Sequence, residues 1–437
     1  MMLRRFSLLL ALATLLAVAP FASAQGFFLK KGDVVVVMGD SITEQRLYSN
    51  YLELWSQTRF PSYNLVFRNV GIGGDRSTGG NGRFKRDVLA HKPTVLTVDF
   101  GMNDGSYIWV GKKNKDKEIT QADVDRNFNV YMKGQQGIAD QAKAAKIRVA
   151  WITPQPVEGN PGDAFEGYNA TLRQFSDGVK EIAKKNDGAF ADQFDPYWAV
   201  IHKAREAGEK KRITGGDAVH PGPPGQALMA ASILKALNFP KLVSSAEVSV
   251  NADSTTGKPE NCGVSNVKAT AGGVTFERKD FALPFFPEQA ASILKYSNIL
   301  EDMNHYGLTV KGLKDGKYDV KLGGKTVATY TAAELAKGVN LAGPALKTGP
   351  VADQVKDIVK AVNDKTNYYH DKIYSPLVLG RNVNAKNPDF KDVAKEDFNK
   401  HRDKLIAERM EKMPALDAAI RSALEPRSHT VEITSAK

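Results

Sequence analysis

The sequence predicts an α/β domain built on a five-stranded parallel sheet, followed by a β-rich, sandwich-like module and a helical C-terminal segment. Three observations carry that prediction. From Asp33 to Pro240 short apolar runs alternate with longer amphipathic stretches, the pattern of a parallel sheet covered by helices on both faces. The run at 34–38 is continuously apolar, as a strand buried on both faces requires. After Phe239-Pro240 the texture changes to short alternating strands and then returns to helical periodicity. A chain of 437 residues is long enough for two or three cores. Its 42% hydrophobic and 25% charged residues exclude wholesale disorder.

The strands of the first region are expected at 34–38, 65–70, 95–100, 148–153 and, more weakly, 189–191. Helices are expected between them at 44–57, 82–90, 121–145, 164–185 and 226–237. In such sheets, sites form beyond the carboxyl ends of the strands. In the second region strands are expected at 246–250, 273–278, 307–310, 317–322 and 326–330, with turns at Lys314-Asp315-Gly316 and Gly323-Gly324 and a short helix near 288–294. Helical patterns resume at 355–362 and 400–413, with a loop near 380–388. The expected boundaries are 1–24, 25–240, 241–345 and 346–437. No internal repeat is present.

Residues 1–24 read as a secretory signal peptide. Arg4 and Arg5 precede an apolar run at 8–21, and Ala22-Ser23-Ala24 supplies small residues for cleavage before Gln25. The run is short for a membrane span, so the expectation is a secreted or periplasmic protein with no stable membrane insertion after cleavage. No cysteine follows the run to accept a lipid. The formal charge of +11 is spread over both halves and mixed in sign. A nucleic-acid binder would cluster its cations on one element, so no nucleic-acid partner is expected. Nothing in the composition speaks to oligomeric state. The single cysteine, Cys262, excludes an intramolecular disulfide framework and reads as a buried or unpaired thiol. The seven histidines are scattered without metal-ligand spacing, so neither a metal nor a cofactor is expected.

Four short motifs fall where a site would form. Gly39-Asp40-Ser41 follows the first strand; taken alone, it reads best as an ordinary helix N-cap. Asn69-Val70-Gly71-Ile72-Gly73-Gly74-Asp75 follows the second strand. It lacks both the dinucleotide fingerprint and the phosphate-loop Gly-Lys, and alone reads as a turn. Gly101-Met102-Asn103-Asp104-Gly105 follows the third strand, with Asn103 either a turn residue or an amide donor. Asp217-Ala218-Val219-His220 precedes the last helix, where a carboxylate three residues before a histidine can orient the imidazole. All four can converge on one sheet edge. Together they supply a nucleophile, a base, its orienting carboxylate and oxyanion donors, the requirements of acyl transfer.

In these four blocks the chain resembles the SGNH hydrolases, the GDSL esterase/lipase superfamily, over about 33–225. The block at 69–75 is similar to that of the platelet-activating-factor acetylhydrolase and sugar-acetylesterase branches. The resemblance implies a flavodoxin-like three-layer α/β/α sandwich. It also implies Ser41 as nucleophile, Asp217 and His220 as its partners, and Ser41, Gly74 and Asn103 as oxyanion donors. Ile42 stands where the family usually has leucine. Asp40 and Asp104 read as braces of their turns.

Tyr107, Trp109, Phe165 and Tyr168 follow the third and fourth strands and are candidate cleft-lining residues. The expected substrate is a small-molecule or polysaccharide ester. Export and the 69–75 block favour acetyl esters of carbohydrates, with lysophospholipids or thioesters as the alternative. A non-catalytic envelope- or polysaccharide-binding protein would lack the serine or the histidine, and both are present. The β-rich module reads either as a carbohydrate-contacting accessory or as a spacer. In Asn367-Tyr368-Tyr369-His370 the aromatic residues read as packing.

Overall fold

The computed structural model describes residues 26–250 and 259–436. The expected leader and its cleavage point after Ala24 lie outside them. The first region runs β1 (Val34–Gly39), α1 (Ser41–Glu44), α2 (Leu47–Arg59), β2 (Val66–Asn69), α3 (Ser77–Asp87), β3 (Val95–Asp99) and a two-stranded hairpin, β4 (Lys113–Asn114) with β5 (Lys117–Glu118). It continues through α4 (Gln121–Ala144), β6 (Arg148–Ile152), α5 (Tyr168–Lys185), β7 (Ala189–Ala191), α6 (Phe194–Glu206) and α7 (Pro223–Ala236). Its sheet has the order β2-β1-β3-β6-β7 and every pairing is parallel. The chain therefore leaves β1 towards one edge and returns to its other side with β3. This switch point opens a crevice at the strands' carboxyl ends. The all-valine start of β1 is buried because helices cover both faces.

Two helices differ from expectation. The stretch expected as one helix at 44–57 is divided into α1 and α2 by Arg46, whose φ of 66° is left-handed. The second is α6, which the sequence pattern does not signal; its buried face is Phe194, Tyr197, Ile201 and Ala204, a narrow stripe among Asp, Lys and Arg. α7 begins at Pro223-Pro224, where the missing N–H costs nothing.

The second region contains β8 (Leu242–Ser249), β9 (Cys262–Thr270), β10 (Gly273–Asp280), α8 (Ile299–Met303), β11 (His305–Lys311), β12 (Lys317–Leu322), β13 (Lys325–Thr331), α9 (Ala332–Lys337), β14 (Val339–Asn340) and α10 (Ala342–Ala345). The third contains α11 (Pro350–Tyr368), a π-helical stretch (Tyr369–Val378), α12 (Phe398–Met410), α13 (Met413–Ala423) and β15 (Ser428–Ser435). The segment expected to be helical to its end thus finishes in a strand. β15 sits between β12 and β10 in a five-stranded sheet, β13-β12-β15-β10-β9, with Val431 and Ile433 in the core. A three-stranded sheet, β14-β11-β8, shares that core. The two sheets are tied by Arg278, which donates to the Gly307 carbonyl (3.1 Å) and lies over the Tyr306 ring. β9 carries no clear strand pattern because only Cys262 and Val267 of its residues are buried.

The three regions pack on one another. α2 is buried on nearly every side because α7 and α11 both cover it. Trp55 of α2 meets Phe285 edge-on at 5.2 Å. Its polar residues find partners across the seam: Arg59 donates to the carbonyls of Pro240 and Met303, and Glu53 pairs with Lys365 of α11. Cys262 is buried and unpaired with another cysteine, and burial pushes its thiol up to about 11. Among the described residues no helix is long and apolar enough to cross a membrane.

Candidate active site

The four motifs meet at the carboxyl ends of β1, β2 and β3. Directly after β1, Asp40 caps α1 by accepting the Ile42 N–H at 3.0 Å, which sets Ser41 at the first position of the helix. Asp40 is buried. Burial, reinforced by Asp104 and Asp75 and opposed by the Ile42 N–H, pushes its carboxyl up to about 7.

Ser41 Oγ lies 2.9 Å from His220 Nε2. His220 Nδ1 lies 3.1 Å from Asp217 Oδ2, while Asp217 Oδ1 accepts the backbone N–H groups of Val219 and His220 at 2.8 and 2.7 Å. Burial pushes the Asp217 carboxyl up, but those N–H groups and the imidazole outweigh it and hold it below its usual range. A carboxylate on Nδ1 places the ring proton there and leaves the Nε2 lone pair facing Ser41. The Asp217 side chain is 66% exposed, so this edge of the site is open to solvent.

The 69–75 block is drawn against α1. Asn69 donates to the Thr43 carbonyl (2.7 Å) and accepts the Gly71 N–H (2.9 Å). A Cβ at Gly71 would stand 2.3 Å from the Glu44 nitrogen, so only glycine permits this approach. Gly73 follows, where a Cβ would be 4.0 Å from Ser41 Cβ, and Gly74 turns with φ +75°. Arg83, buried beneath, binds Asp75 (2.7 Å) and the carbonyls of Val70 (2.6 Å) and Gly39 (3.1 Å), clamping the ends of β1 and β2.

After β3, Asp104 accepts the N–H and hydroxyl of Ser77 at 2.9 and 2.7 Å, tying this loop to the start of α3. Asn103 Nδ2 donates to Asp40 Oδ2 (3.2 Å) and the Asp75 carbonyl (3.1 Å), and its Oδ1 accepts the Tyr107 hydroxyl at 3.0 Å. The two acceptors on Nδ2 set which way the amide points, and the Tyr107 hydroxyl braces its oxygen. Tyr107, Trp109 and Phe165 are half-buried and in ring contact, at 6.2 Å for Tyr107–Phe165 and 6.1 Å for Trp109–Phe165. Tyr168, expected to line the cleft, is fully buried. Its hydroxyl donates to the Met102 carbonyl at 2.6 Å, so it supports this aromatic group from behind.

Sequence reasoning missed the neighbours supplied from the C-terminal region. Glu44 receives Arg381 at 2.5 Å, with His370 Nε2 at 3.6 Å. No periodicity or motif signals these pairs. The acidic residue three places after the serine was the available clue.

This geometry, a serine–histidine–aspartate line beside amide donors at the switch point of a parallel sheet, is that of an α/β acyl-transferring hydrolase. Residues 37–228 match the family of GDSL-like lipases/acylhydrolases. That domain belongs to this family, within the SGNH superfamily, and the chain is an ester-hydrolysing enzyme. An acetylxylan esterase of Geobacillus stearothermophilus is 23% identical over 223 residues, 48% of this chain and 95% of that protein. A stretch of 55 residues is 40% identical to an uncharacterized lipoprotein of Bacillus subtilis (strain 168), covering 13% of this chain and 23% of the relative. The solved structure of a gut microbial diltiazem-metabolizing enzyme is similar over 93% of this chain and 98% of its own, with TM-score 0.78 and 25% identity. The likeness therefore extends through the β-rich and C-terminal regions.

Proposed function

We propose that this chain is an exported serine esterase that removes short acyl groups, acetyl above all, from carbohydrate esters through an acyl-enzyme. The observation that carries the reading is the Ser41–His220–Asp217 line, with contacts of 2.9 and 3.1 Å. Ser41 attacks the ester carbonyl as His220 takes its proton, and the imidazolium returns that proton to the leaving alcohol. Asp217 keeps the ring in its attacking tautomer and stabilises its cation. The N–H groups of Ser41 and Gly74 and the Asn103 amide receive the oxyanion. Asn103 then exchanges its 3.2 Å contact with Asp40 for the substrate. Water, activated by His220, releases the acid.

Two features support a small acyl group on a bulky alcohol. Facing the serine is glycine backbone, where a Cβ at Gly73 would stand 4.0 Å from Ser41 Cβ. The histidine side is open, and the aromatic group of Tyr107, Trp109 and Phe165 offers faces suited to sugar rings. The acetylxylan esterase relative supports the acetyl choice. The likeness over nearly the whole chain to a diltiazem-metabolizing enzyme favours, as a second reading, esters of small molecules. Export rests on the sequence of residues 1–24.

The test is hydrolysis of 4-nitrophenyl esters of increasing chain length by wild type and Ser41→Ala, followed by acetate release from acetylated xylan and acetylated pectin. The expected result is hydrolysis that falls with chain length and vanishes in Ser41→Ala. Equal rates in the two proteins would overturn the enzyme reading. A preference for long acyl chains would favour a lysophospholipase or thioesterase instead. Hydrolysis of nitrophenyl acetate with no acetate released from either polysaccharide would favour the small-molecule reading.

A further inference from the structure

An oxyanion donor works only if it is already in place when charge develops. Gly73 and Gly74 are consecutive, exposed glycines, the residue type with the greatest backbone freedom. A Cβ at Gly74 would meet nothing within 4 Å, so no neighbouring side chain packs there. The Asp75 N–H closes the turn on the Ile72 carbonyl at 3.2 Å, and inside that turn the Gly73 N–H donates to Glu44 Oε2 at 2.6 Å, a short, charge-assisted bond and the contact by which a side chain grips the two glycines. Glu44 stands one helical turn after Ser41 in α1, so one short helix carries both the serine and the anchor of the loop facing it.

Glu44 is itself held from the C-terminal region. Arg381 Nη1 meets its Oε1 at 2.5 Å and also Ser375 Oγ at 3.3 Å. His370 Nε2 lies 3.6 Å from the same Oε1, while its Nδ1 lies 2.6 Å from Asp371, which accepts Arg46 at 3.1 Å. All of these except Arg46 belong to the π-helical stretch or the turn after it, more than 300 residues away in sequence. Burial pushes the Glu44 carboxyl up, but His370, Arg381 and the Gly73 N–H outweigh it and hold it down at about 2. It is a fixed anion at any working pH.

We infer that Glu44 is a positioning residue for the oxyanion loop, and that Arg381 and His370 make the C-terminal region part of the catalytic apparatus. This rests on the reading of Gly74 as an oxyanion donor. On this inference the Glu44 bond to the Gly73 N–H orients the Gly73–Gly74 peptide that follows it, and with it the Gly74 N–H. Loss of Glu44, or of the cation that aims it, leaves the serine and histidine intact and loosens only the donor.

The test uses the full-length chain with Glu44→Ala, Glu44→Gln, Arg381→Ala and Arg381→Lys. Arg427→Ala serves as control, because it removes an exposed ion pair with Asp357 in the same region. Measurements are kcat and KM for 4-nitrophenyl acetate, thermal midpoint, inhibition by a boronic acid that forms a tetrahedral adduct on the serine, and inhibition by acetate. Since removal of an oxyanion donor costs roughly 100–1,000-fold, Glu44→Ala is expected to lower kcat about 10–100-fold with KM within about threefold. Boronate affinity should fall in step while acetate inhibition holds. Arg381→Ala is expected to lose about 3–10-fold and Arg381→Lys to recover most of it, as fits a charge-assisted contact. Glu44→Gln, which keeps an acceptor, should fall between wild type and Glu44→Ala. Wild-type kcat in Glu44→Ala with Ser41→Ala inactive would overturn this inference and leave the esterase reading standing. A fall in kcat matched by a lower thermal midpoint with unchanged boronate affinity would overturn it too. Undiminished hydrolysis by Ser41→Ala would overturn both.

Discussion

The Glu53 carboxylate and the Lys365 ammonium meet at 2.5 Å with both side chains almost wholly buried, 312 residues apart in the chain. Burial pushes the carboxyl up and the ammonium down, so each tolerates ionisation only because the other is present. Arg68 and Asp417 form a second buried pair beside it, at 2.6 Å. Together they pin α11 and α13 to α2 and β2. Lys365→Met is therefore expected to destabilise the protein by about 3–5 kcal/mol, because it strands the Glu53 charge. The double variant Glu53→Leu/Lys365→Met should recover most of that loss. Chemical denaturation midpoints of the three proteins check it.

Replacing Asp217 by Asn removes the charge that favours the His220 cation and the acceptor that selects its tautomer. Steady-state kinetics are expected to show kcat lower by roughly 1,000–10,000-fold, with KM little changed.

Tyr107→Phe deletes the hydroxyl that braces Asn103 Oδ1 at 3.0 Å and so loosens the amide, which then keeps only its bonds to Asp40 and Asp75. One hydrogen bond is worth about 0.5–1.5 kcal/mol, so kcat on nitrophenyl acetate should fall about 3–10-fold. Trp109→Phe, which leaves that bond intact, should show no such fall.

Asp40 has a folded-state pKa raised to about 7 by burial, against 3.8 for the free side chain. The folded state thus binds more protons than the unfolded one between these values, and stability falls as pH rises through that window. Asn carries no charge and its oxygen still caps α1, although its amide nitrogen no longer accepts Asn103. The stability of Asp40→Asn relative to wild type should therefore rise by about 2–4 kcal/mol between pH 4 and pH 8, since each tenfold change in proton affinity is worth about 1.4 kcal/mol. Thermal midpoints measured across pH give the comparison. A gain that shrinks with rising pH would contradict it.

Gly71→Ala places a methyl 2.3 Å from the Glu44 nitrogen and 2.6 Å from the Thr43 carbonyl carbon, with backbone on both sides and nothing flexible to yield. The expected cost is about 2–4 kcal/mol, together with a displaced glycine loop and reduced kcat. Thermal unfolding and nitrophenyl acetate kinetics measure both.

Legible in the chain are the sheet-and-helix order of the first region, the fall of Ser41, Asn69–Gly74, Asn103 and His220 at strand ends or before a helix, and the resemblance that relates them. All of that is local: a buried valine strand, a glycine run and an Asp-x-x-His turn each show their chemistry within a few residues. α6 and β9 escape the pattern for a local reason too: α6 spreads apolar residues beyond its buried face, and β9 buries only Cys262 and Val267. Tyr168 was misplaced because sequence does not say which of two neighbouring aromatics faces the cleft and which supports it. Folding alone reveals that β15 closes the middle of the β-rich sheet, that α2 lies between two regions, and that Glu44 is held by Arg381. Those pairings join residues up to 337 apart, and the same charges on an exposed surface would leave the same pattern. What selects them is the fold: burial matches Glu53 to Lys365 and seats Val431 and Ile433 in the core, while the turn after the π-helical stretch carries the half-exposed Arg381 to Glu44.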